Sequence, residues 1–212
     1  QGKKSVTALE ELQIAMEDKS SLVRSHALRA TGKLGNDAIS ALSSITHKLA
    51  EKNADVAIQA AVAIQSIAAD TKHSQRNPET WKTANEALLE AFRRPDPRLK
   101  KVVLNALLEC NLSQSQEAAL QESLKNTFES DPECVLPILS ILAEKPESAL
   151  PLLSKFVHEP DARYWVAVLA VEMAQTAEPL LEELCKIATS TDAPNLERFQ
   201  AVLAIAAIDK AT

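Results

Sequence analysis

The chain has 212 residues, of which 46% are hydrophobic but only 3% aromatic, and it contains just 3 glycines. Strand-rich folds usually need β-branched and aromatic runs with glycine-rich turns, so this composition favours an all-α protein with an aliphatic core. The formal net charge of −6 argues against a general binder of nucleic-acid backbones, because such proteins neutralise phosphates with clustered Lys and Arg.

Neither the cysteines nor the apolar runs indicate a disulfide-stabilised or membrane-spanning protein. Cys110, Cys134 and Cys185 are odd in number and lack C-x-x-C spacing, so we predict no disulfide framework and expect small core residues. No apolar run approaches the roughly 18 residues of a membrane span, and no signal-peptide pattern opens the chain. We therefore expect a soluble, cytoplasmic protein without membrane insertion. Gln1 in place of Met indicates a segment of a longer chain or a processed product, and an export signal removed before Gln1 would change the compartment.

The first clear helical pattern in the chain, DKSSLVRSHALRATGKLG at residues 18–35, recurs further along. A shift of 33 residues places Val23, Ala27, Ala30 and Leu34 on Val56, Ala60, Ala63 and Ile67, and a shift of 76 places them on Leu99, Val103, Ala106 and Cys110. Looser copies carry Cys134, Ile138 and Ile141; Ala162, Val166, Leu169 and Met173; and Ala201, Ala204 and Ile208. Such a period is typical of stacked helical hairpins.

Each copy follows another helical stretch, so the sequence predicts twelve helices in six hairpins. The predicted preceding helices are 5–18, 37–52, 78–93, 114–129, 147–158 and 177–190. The six units, 1–35, 36–76, 77–112, 113–145, 146–175 and 176–212, are expected to form a single repeat domain. Predicted N-caps are Asn77 before Pro78, Ser130 or Asp131 before Pro132, and Asn195. The longest polar interruption, Thr71–Asn77, is predicted to be a loop.

The repeated pattern resembles a known family. D-x(4)-V-R-x-x-A-x-x-A-x-x-x-L-G, typical of short HEAT repeats of the phycobilisome-lyase type, is matched by Asp18, Val23, Arg24, Ala27, Ala30, Leu34 and Gly35. The resemblance extends over nearly the whole chain and implies an α-solenoid, an α/α superhelix of about six HEAT-like hairpins. It also implies a structural ladder of Asp–Arg pairs between neighbouring repeats. Candidate members of the ladder are Asp18, Arg24, Arg163 and Arg198, with Lys100 as a weaker substitute and no counterpart at Ala57 or Val135.

No catalytic constellation is visible. The sequence contains no G-x-S-x-G, P-loop or G-x-G-x-x-G motif, and its four histidines are scattered, so we predict no catalytic residue, metal or cofactor. The resemblance leaves one alternative open, a subunit of a bilin-lyase-like or metal-dependent HEAT-like enzyme. His158–Glu159 is the one His–Glu dyad in the sequence of the kind that would bind metal in the metal-dependent type.

Helical geometry predicts a binding face instead. If Val23, Ala27, Ala30 and Leu34 are buried, then Ser25, Arg29 and Gly32 point the other way, into a concave face. The corresponding residues are Ile58, Val62 and Gln65; Lys101, Asn105 and Leu108; Leu136, Ser140 and Ala143; Tyr164, Val168 and Val171; and Phe199, Leu203 and Ala206. The predicted groove turns from polar to apolar along the chain.

This face predicts a non-catalytic protein–protein interaction or scaffolding module. We expect a protein or peptide partner, or other domains of a longer parent chain, and no nucleic acid. The predicted contacts are Arg29, Ile58, Val62, Lys101, Asn105, Tyr164, Val168, Phe199 and Leu203. Burial of these positions by tight curvature, or by further chain that covers the apolar end, explains the same pattern equally well. A purely structural spacer between other domains is a third possible function.

Overall fold

A computed structural model describes residues 2–71, 77–130, 132–160 and 162–210, and the predicted loop at 71–77 lies largely outside these ranges. The described residues form helices and contain no strand. The first helices of the hairpins are α1 (Gly2–Ala15), η1 with α3 (Gly35–Ala41, Leu42–Lys48), α5 (Pro78–Phe92), α7 (Gln114–Ser130), α9 (Pro146–Phe156), and η2 with α11 (Ala174–Leu180, Leu181–Thr189). The second helices are α2 (Ser21–Gly32), α4 (Ala54–Asp70), α6 (Pro97–Glu109), α8 (Pro132–Glu144), α10 (Arg163–Met173) and α12 (Asn195–Asp209). The predicted all-α solenoid is therefore confirmed.

Polar side chains begin several of these helices. The Asn77 Oδ1 accepts hydrogen bonds from the backbone N–H groups of Glu79 and Thr80, with Pro78 following it, as predicted. The predicted cap at Asn195 is wrong, because the extended Pro194 occupies the cap position and Asn195 is already helical. Asp131 lies outside the described residues.

Backbone contacts divide the chain into two compact units, Gln1–Leu120 and Gln121–Thr212. In the first unit, α4 packs against both α2 and α6. Its predicted stripe is fully buried, with Val56, Ala60, Ala63 and Ile67 each 0% exposed. Small side chains allow this, since an alanine stripe permits two helix axes to approach closely.

The second helix of the first hairpin, α2, does not bury all residues of its predicted apolar stripe. Ala27 is buried, but Ala30 and Leu34 are half-buried, and Val23 is 40% exposed, so the prediction that Val23 belongs to the core is wrong. The physical reason is positional: the equivalent Val56 of α4 is covered because α2 precedes it in the stack. Among the described residues, no second helix precedes α2.

The second unit repeats the same packing, with α10 in contact with α8 and α12. The predicted core residues of this unit are buried: Cys134, Ile138, Ile141, Ala162, Val166, Leu169, Met173, Ala201, Ala204 and Ile208. Phe128 adds an aromatic cluster, with its ring centroid 6.2 Å from that of Phe156 and 6.4 Å from that of Trp165. That the two units together form the single domain expected from the sequence stays a prediction.

Candidate partner-binding faces

The face of each second helix that points away from its own first helix is called here the outward face. The nine predicted contact residues all lie among the described residues, and none of them is buried. In the first unit Arg29 and Lys101 are exposed, whereas Ile58, Val62 and Asn105 are half-buried. The helical spacing that buries one side of α2, α4 and α6 thus leaves these five side chains accessible to a partner.

A shallow pocket of about 260 Å³ lies between the outward faces of α2 and α4. Its residues are Ser21, Leu22, Ser25, His26, Arg29, Asn53, Asp55, Ile58 and Gln59. Two of the predicted contact residues, Arg29 and Ile58, therefore line the same pocket. Sequence spacing alone had placed these two residues only on equivalent sides of their helices.

The pocket combines a cationic wall, an acidic wall and apolar side chains. Arg29 belongs to α2, and Asp55 lies in the first turn of α4. Asp55 also approaches Arg98 of α6, with Oδ1 3.4 Å from Nη1, but both side chains are more than two thirds exposed. A pair so exposed contributes little and can open. Leu22, 66% exposed, offers apolar surface beside the charges.

Asn105 contributes an acceptor without a donor. Its Oδ1 atom is buried but has no hydrogen-bond partner, while the residue as a whole is half-buried. A buried acceptor left unsatisfied costs roughly 1–3 kcal/mol.

On α10 and α12 of the second unit the outward face is apolar. Phe199 is 59% exposed and Leu203 is 40% exposed, and they lie one helical turn apart on α12. Tyr164 and Val168 on α10 are half-buried, and the Tyr164 ring packs edge-on against Trp165 at 4.9 Å between centroids. Exposed large side chains grouped in this way are typical of an interaction surface.

Two residues of the predicted face need separate comment. Gly32 was expected to point outward, but it is buried, and a Cβ atom there would lie 2.8 Å from the Ala63 Cα, so that prediction is wrong. Gly32 lies at the edge of the predicted face, and the neighbouring helix covers that edge. The side chain of Leu136 lies outside the described residues.

Arg24 pairs with the following hairpin. Its Nη2 lies 2.6 Å from the Glu51 Oε2, its Nε donates to the same carboxylate at 2.9 Å, and its Nη1 donates to the backbone oxygens of Asp18 and Lys19. The hydrogen bond with Glu51 raises the pKa of the Arg24 guanidinium. Glu51 stands 33 residues after Asp18, at the same position of the next repeat, so this is a contact between hairpins.

The remaining predicted ladder residues pair differently. The Arg163 Nε lies 3.8 Å from the Glu197 Oε2, again between neighbouring hairpins. The Arg198 Nε donates a long hydrogen bond of 3.5 Å to the Ala188 backbone oxygen, and the Asp18 carboxylate accepts from the Ser20 backbone N–H. Sequence reasoning missed Glu51, although a shift of one repeat from Asp18 would have found it.

The two residues of the His158–Glu159 dyad contact different partners. The His158 Nδ1 lies 3.6 Å from Glu183, and the Lys125 Nζ lies 3.3 Å from Glu159. Within the part of the chain that the structure describes, no three His, Cys, Asp or Glu side chains group so that they could hold a metal ion. None of the helices described there combines the length and apolar character of a bilayer span.

Comparison with known proteins supports the fold. No family model and no curated protein matches the sequence. Two engineered proteins of known structure are similar to the chain with a TM-score of 0.50, at 17% and 18% identity, over 95% of this chain and 96% and 98% of theirs. A designed armadillo repeat protein has a TM-score of 0.48 at 17% identity, over 94% of this chain and 99% of its own. The class of protein defined here is an all-α repeat solenoid.

Proposed function

We propose that the chain is a non-catalytic protein-binding module, built of HEAT-like repeats, that takes a segment of a partner protein on the outward faces of its second helices. The observation that carries this proposal is the exposure of Phe199 and Leu203 beside one another on α12. The Arg24–Glu51 contact between successive hairpins supports the HEAT-like character, because it resembles the ladder of that family.

The two units offer different chemistry to such a segment. The second unit presents Phe199, Leu203, Tyr164 and Val168, which suit the apolar side chains of a partner. The first unit presents the guanidinium of Arg29 and the ammonium of Lys101, which suit acidic side chains and set charge selection more than affinity.

Selection of peptide ligands from a random displayed library, followed by affinity measurement, tests this proposal. The variant with Phe199→Ser and Leu203→Ser should weaken the binding of a selected peptide about a thousandfold, because anchor residues at the centre of an interface each contribute about 2 kcal/mol or more and about 1.4 kcal/mol corresponds to a factor of ten. Both side chains are substantially exposed, so circular dichroism should show unchanged helicity.

Ile14→Ser is the matched control. Ile14 is also an exposed apolar residue, 74% exposed, but it lies on α1, a first helix, and so outside the outward face. Peptide affinity should be the same in this variant as in the unchanged chain. Equal affinity in the double variant, or failure to select any peptide, would show that the outward face is not a binding site.

A further inference from the structure

The pocket between α2 and α4 has opposite charges at its two ends. Arg29 lies in the last turn of α2, and Asp55 lies in the first turn of α4. The two helices run in the same direction, because residues near the start of each line the pocket together, while Gly32 lies beside Ala63 further along both. The late position of Arg29 and the early position of Asp55 therefore place the two charges at opposite ends.

The register of the two helices sets the distance between these charges. The repeat pairs each residue of α2 with the residue 33 positions later, whereas the contact of Gly32 with Ala63 corresponds to 31 positions. Subtracting these values from 55 places Asp55 level with residues 22–24 of α2, five to seven residues before Arg29. Since a helix rises by about 1.5 Å per residue, the two positions stand roughly 8–10 Å apart along the helix axes.

Arg29 forms no hydrogen bond or ion pair with any other residue that the structure describes. The other arginines in those ranges pair with a carboxylate or donate to a backbone oxygen: Arg24, Arg93, Arg94, Arg98, Arg163 and Arg198. The Asp55 carboxylate approaches the exposed Arg98, in a pair that contributes little and can open. Both ends of the pocket can therefore bind the charges of a ligand.

Along its length the pocket offers apolar surface and hydrogen-bonding groups. Ile58 is half-buried and Leu22 is 66% exposed. Ser25 and Gln59 are half-buried, and neither side chain forms a hydrogen bond with another residue in the described ranges. Since a hydroxyl and an amide can each donate and accept, these two side chains can satisfy the N–H and C=O groups of a peptide backbone.

An extended peptide matches the spacing of the two charges. A polyproline II chain has three residues per turn and advances about 3.1 Å per residue, so residues i and i+3 project from the same side about 9 Å apart. This distance agrees with the separation of Arg29 and Asp55 along the helix axes. A helix with its side chains is about 10–12 Å across, which is too wide to enter a pocket of about 260 Å³.

We propose that this pocket receives an extended segment of the partner protein, with an acidic side chain bound by Arg29 and, three residues away, a basic side chain bound by Asp55. The basic side chain takes the place of Arg98 beside the Asp55 carboxylate. Such binding rests on the proposed function and narrows the ligand of the first unit from an acidic segment to one with a pair of opposite charges. A segment with two acidic residues at this spacing is rejected, because the second would face Asp55.

Peptides selected from a random displayed library on the full chain test this proposal. We expect their sequences to share an acidic and a basic residue with two residues between them. Arg29→Ala and Asp55→Ala should each weaken the binding of such a peptide about two- to fivefold, as expected for an exposed ion pair. The matched controls are Arg93→Ala and Asp37→Ala, which remove exposed charges at the end of α5 and on η1 and should leave the affinity unchanged.

Paired substitutions in the chain and in the peptide assign each peptide charge to one end of the pocket. Replacing the acidic residue of the peptide by alanine should cost nothing further in the Arg29→Ala variant but its full two- to fivefold in the Asp55→Ala variant. Replacing the basic residue should give the reverse pattern. Losses that add in every combination would contradict these two contacts.

Three other results would overturn the charged pocket. Selected peptides that lack the charge pair, but whose affinity falls in the variant with Phe199→Ser and Leu203→Ser, would remove it and leave the proposed function standing. Helical peptides with the two charges seven residues apart would show that the segment is not extended. Failure to select any peptide would overturn both proposals.

Discussion

Replacing Gly32 by alanine sets two opposing effects against each other at the contact between α2 and α4. Alanine within a helix is favoured over glycine by about 0.5–1 kcal/mol, because glycine loses more backbone freedom on folding. Against this, the new Cβ would lie 2.8 Å from the Ala63 Cα and 3.2 Å from its Cβ. The nearer atom is backbone and cannot rotate away, so the two helices must separate.

The size of this clash decides whether Gly32→Ala stabilises or destabilises the fold. Ordinary contact begins at 3.4 Å, so the helices must move apart by about 0.6 Å where both are buried. Overpacking of this kind costs typically about 1–3 kcal/mol. We therefore expect Gly32→Ala to lower the free energy of unfolding by about 1 kcal/mol, after the gain in helix propensity. For a chain of this size that corresponds to a fall in melting temperature of about 2–4 °C.

Urea unfolding followed by circular dichroism measures this difference. Ala206 provides the matched control, because it occupies the Gly32 position in α12 and is exposed. Ala206→Gly should cost only the propensity term of about 0.5–1 kcal/mol. Adding Ala63→Gly to Gly32→Ala should not restore stability, because the clashing Cα remains. A stabilised Gly32→Ala variant would refute the conclusion that this glycine is required by close packing.

Three further predictions concern other parts of the chain. Arg24→Ala should destabilise the fold by about 1–2 kcal/mol, because it removes partly buried bonds to Glu51 and to two backbone oxygens, and Arg24→Lys should recover only part of this in urea unfolding. Gly35→Ala should cost about 1–2 kcal/mol by the same assay, since φ is 54° at Gly35. The hydrogen bond from Lys186 lowers the pKa of Glu182, so the stability from this pair is present above the ordinary glutamate pKa and is lost as the pH falls through the lowered value. Lys186→Gln should return the Glu182 titration midpoint, followed by NMR, to its ordinary range, and an unchanged midpoint would contradict the assigned cause.

Much of the fold was predictable from the sequence because the repeated apolar positions indicate both that a segment is helical and which of its side chains are buried. The stripe Val56, Ala60, Ala63 and Ile67 has the period of a helix, and its small residues indicate close neighbours on both sides. The start at Asn77 was likewise predictable, since an amide side chain before a proline satisfies the free N–H groups of a helix.

The errors arose where a residue's neighbours, and not its own helix, decide its surroundings. Val23 fits the buried pattern, but burial requires a preceding second helix, which α2 lacks among the described residues. Gly32 lies at the edge of the outward face, on the side towards α4, and only the position of α4 decides that it is covered. Asn195 follows Pro194, whose extended backbone already provides the cap position.

By itself the sequence determined that this protein is all-α, where the helix after Asn77 begins, and which side of α4 packs inward, because these depend on helical periodicity and capping chemistry. The tertiary structure decided that Arg29 and Ile58 share a pocket, that Arg24 binds Glu51, and that Val23 is exposed. Each of these depends on the distance and order of neighbouring helices, which a single helical pattern does not contain.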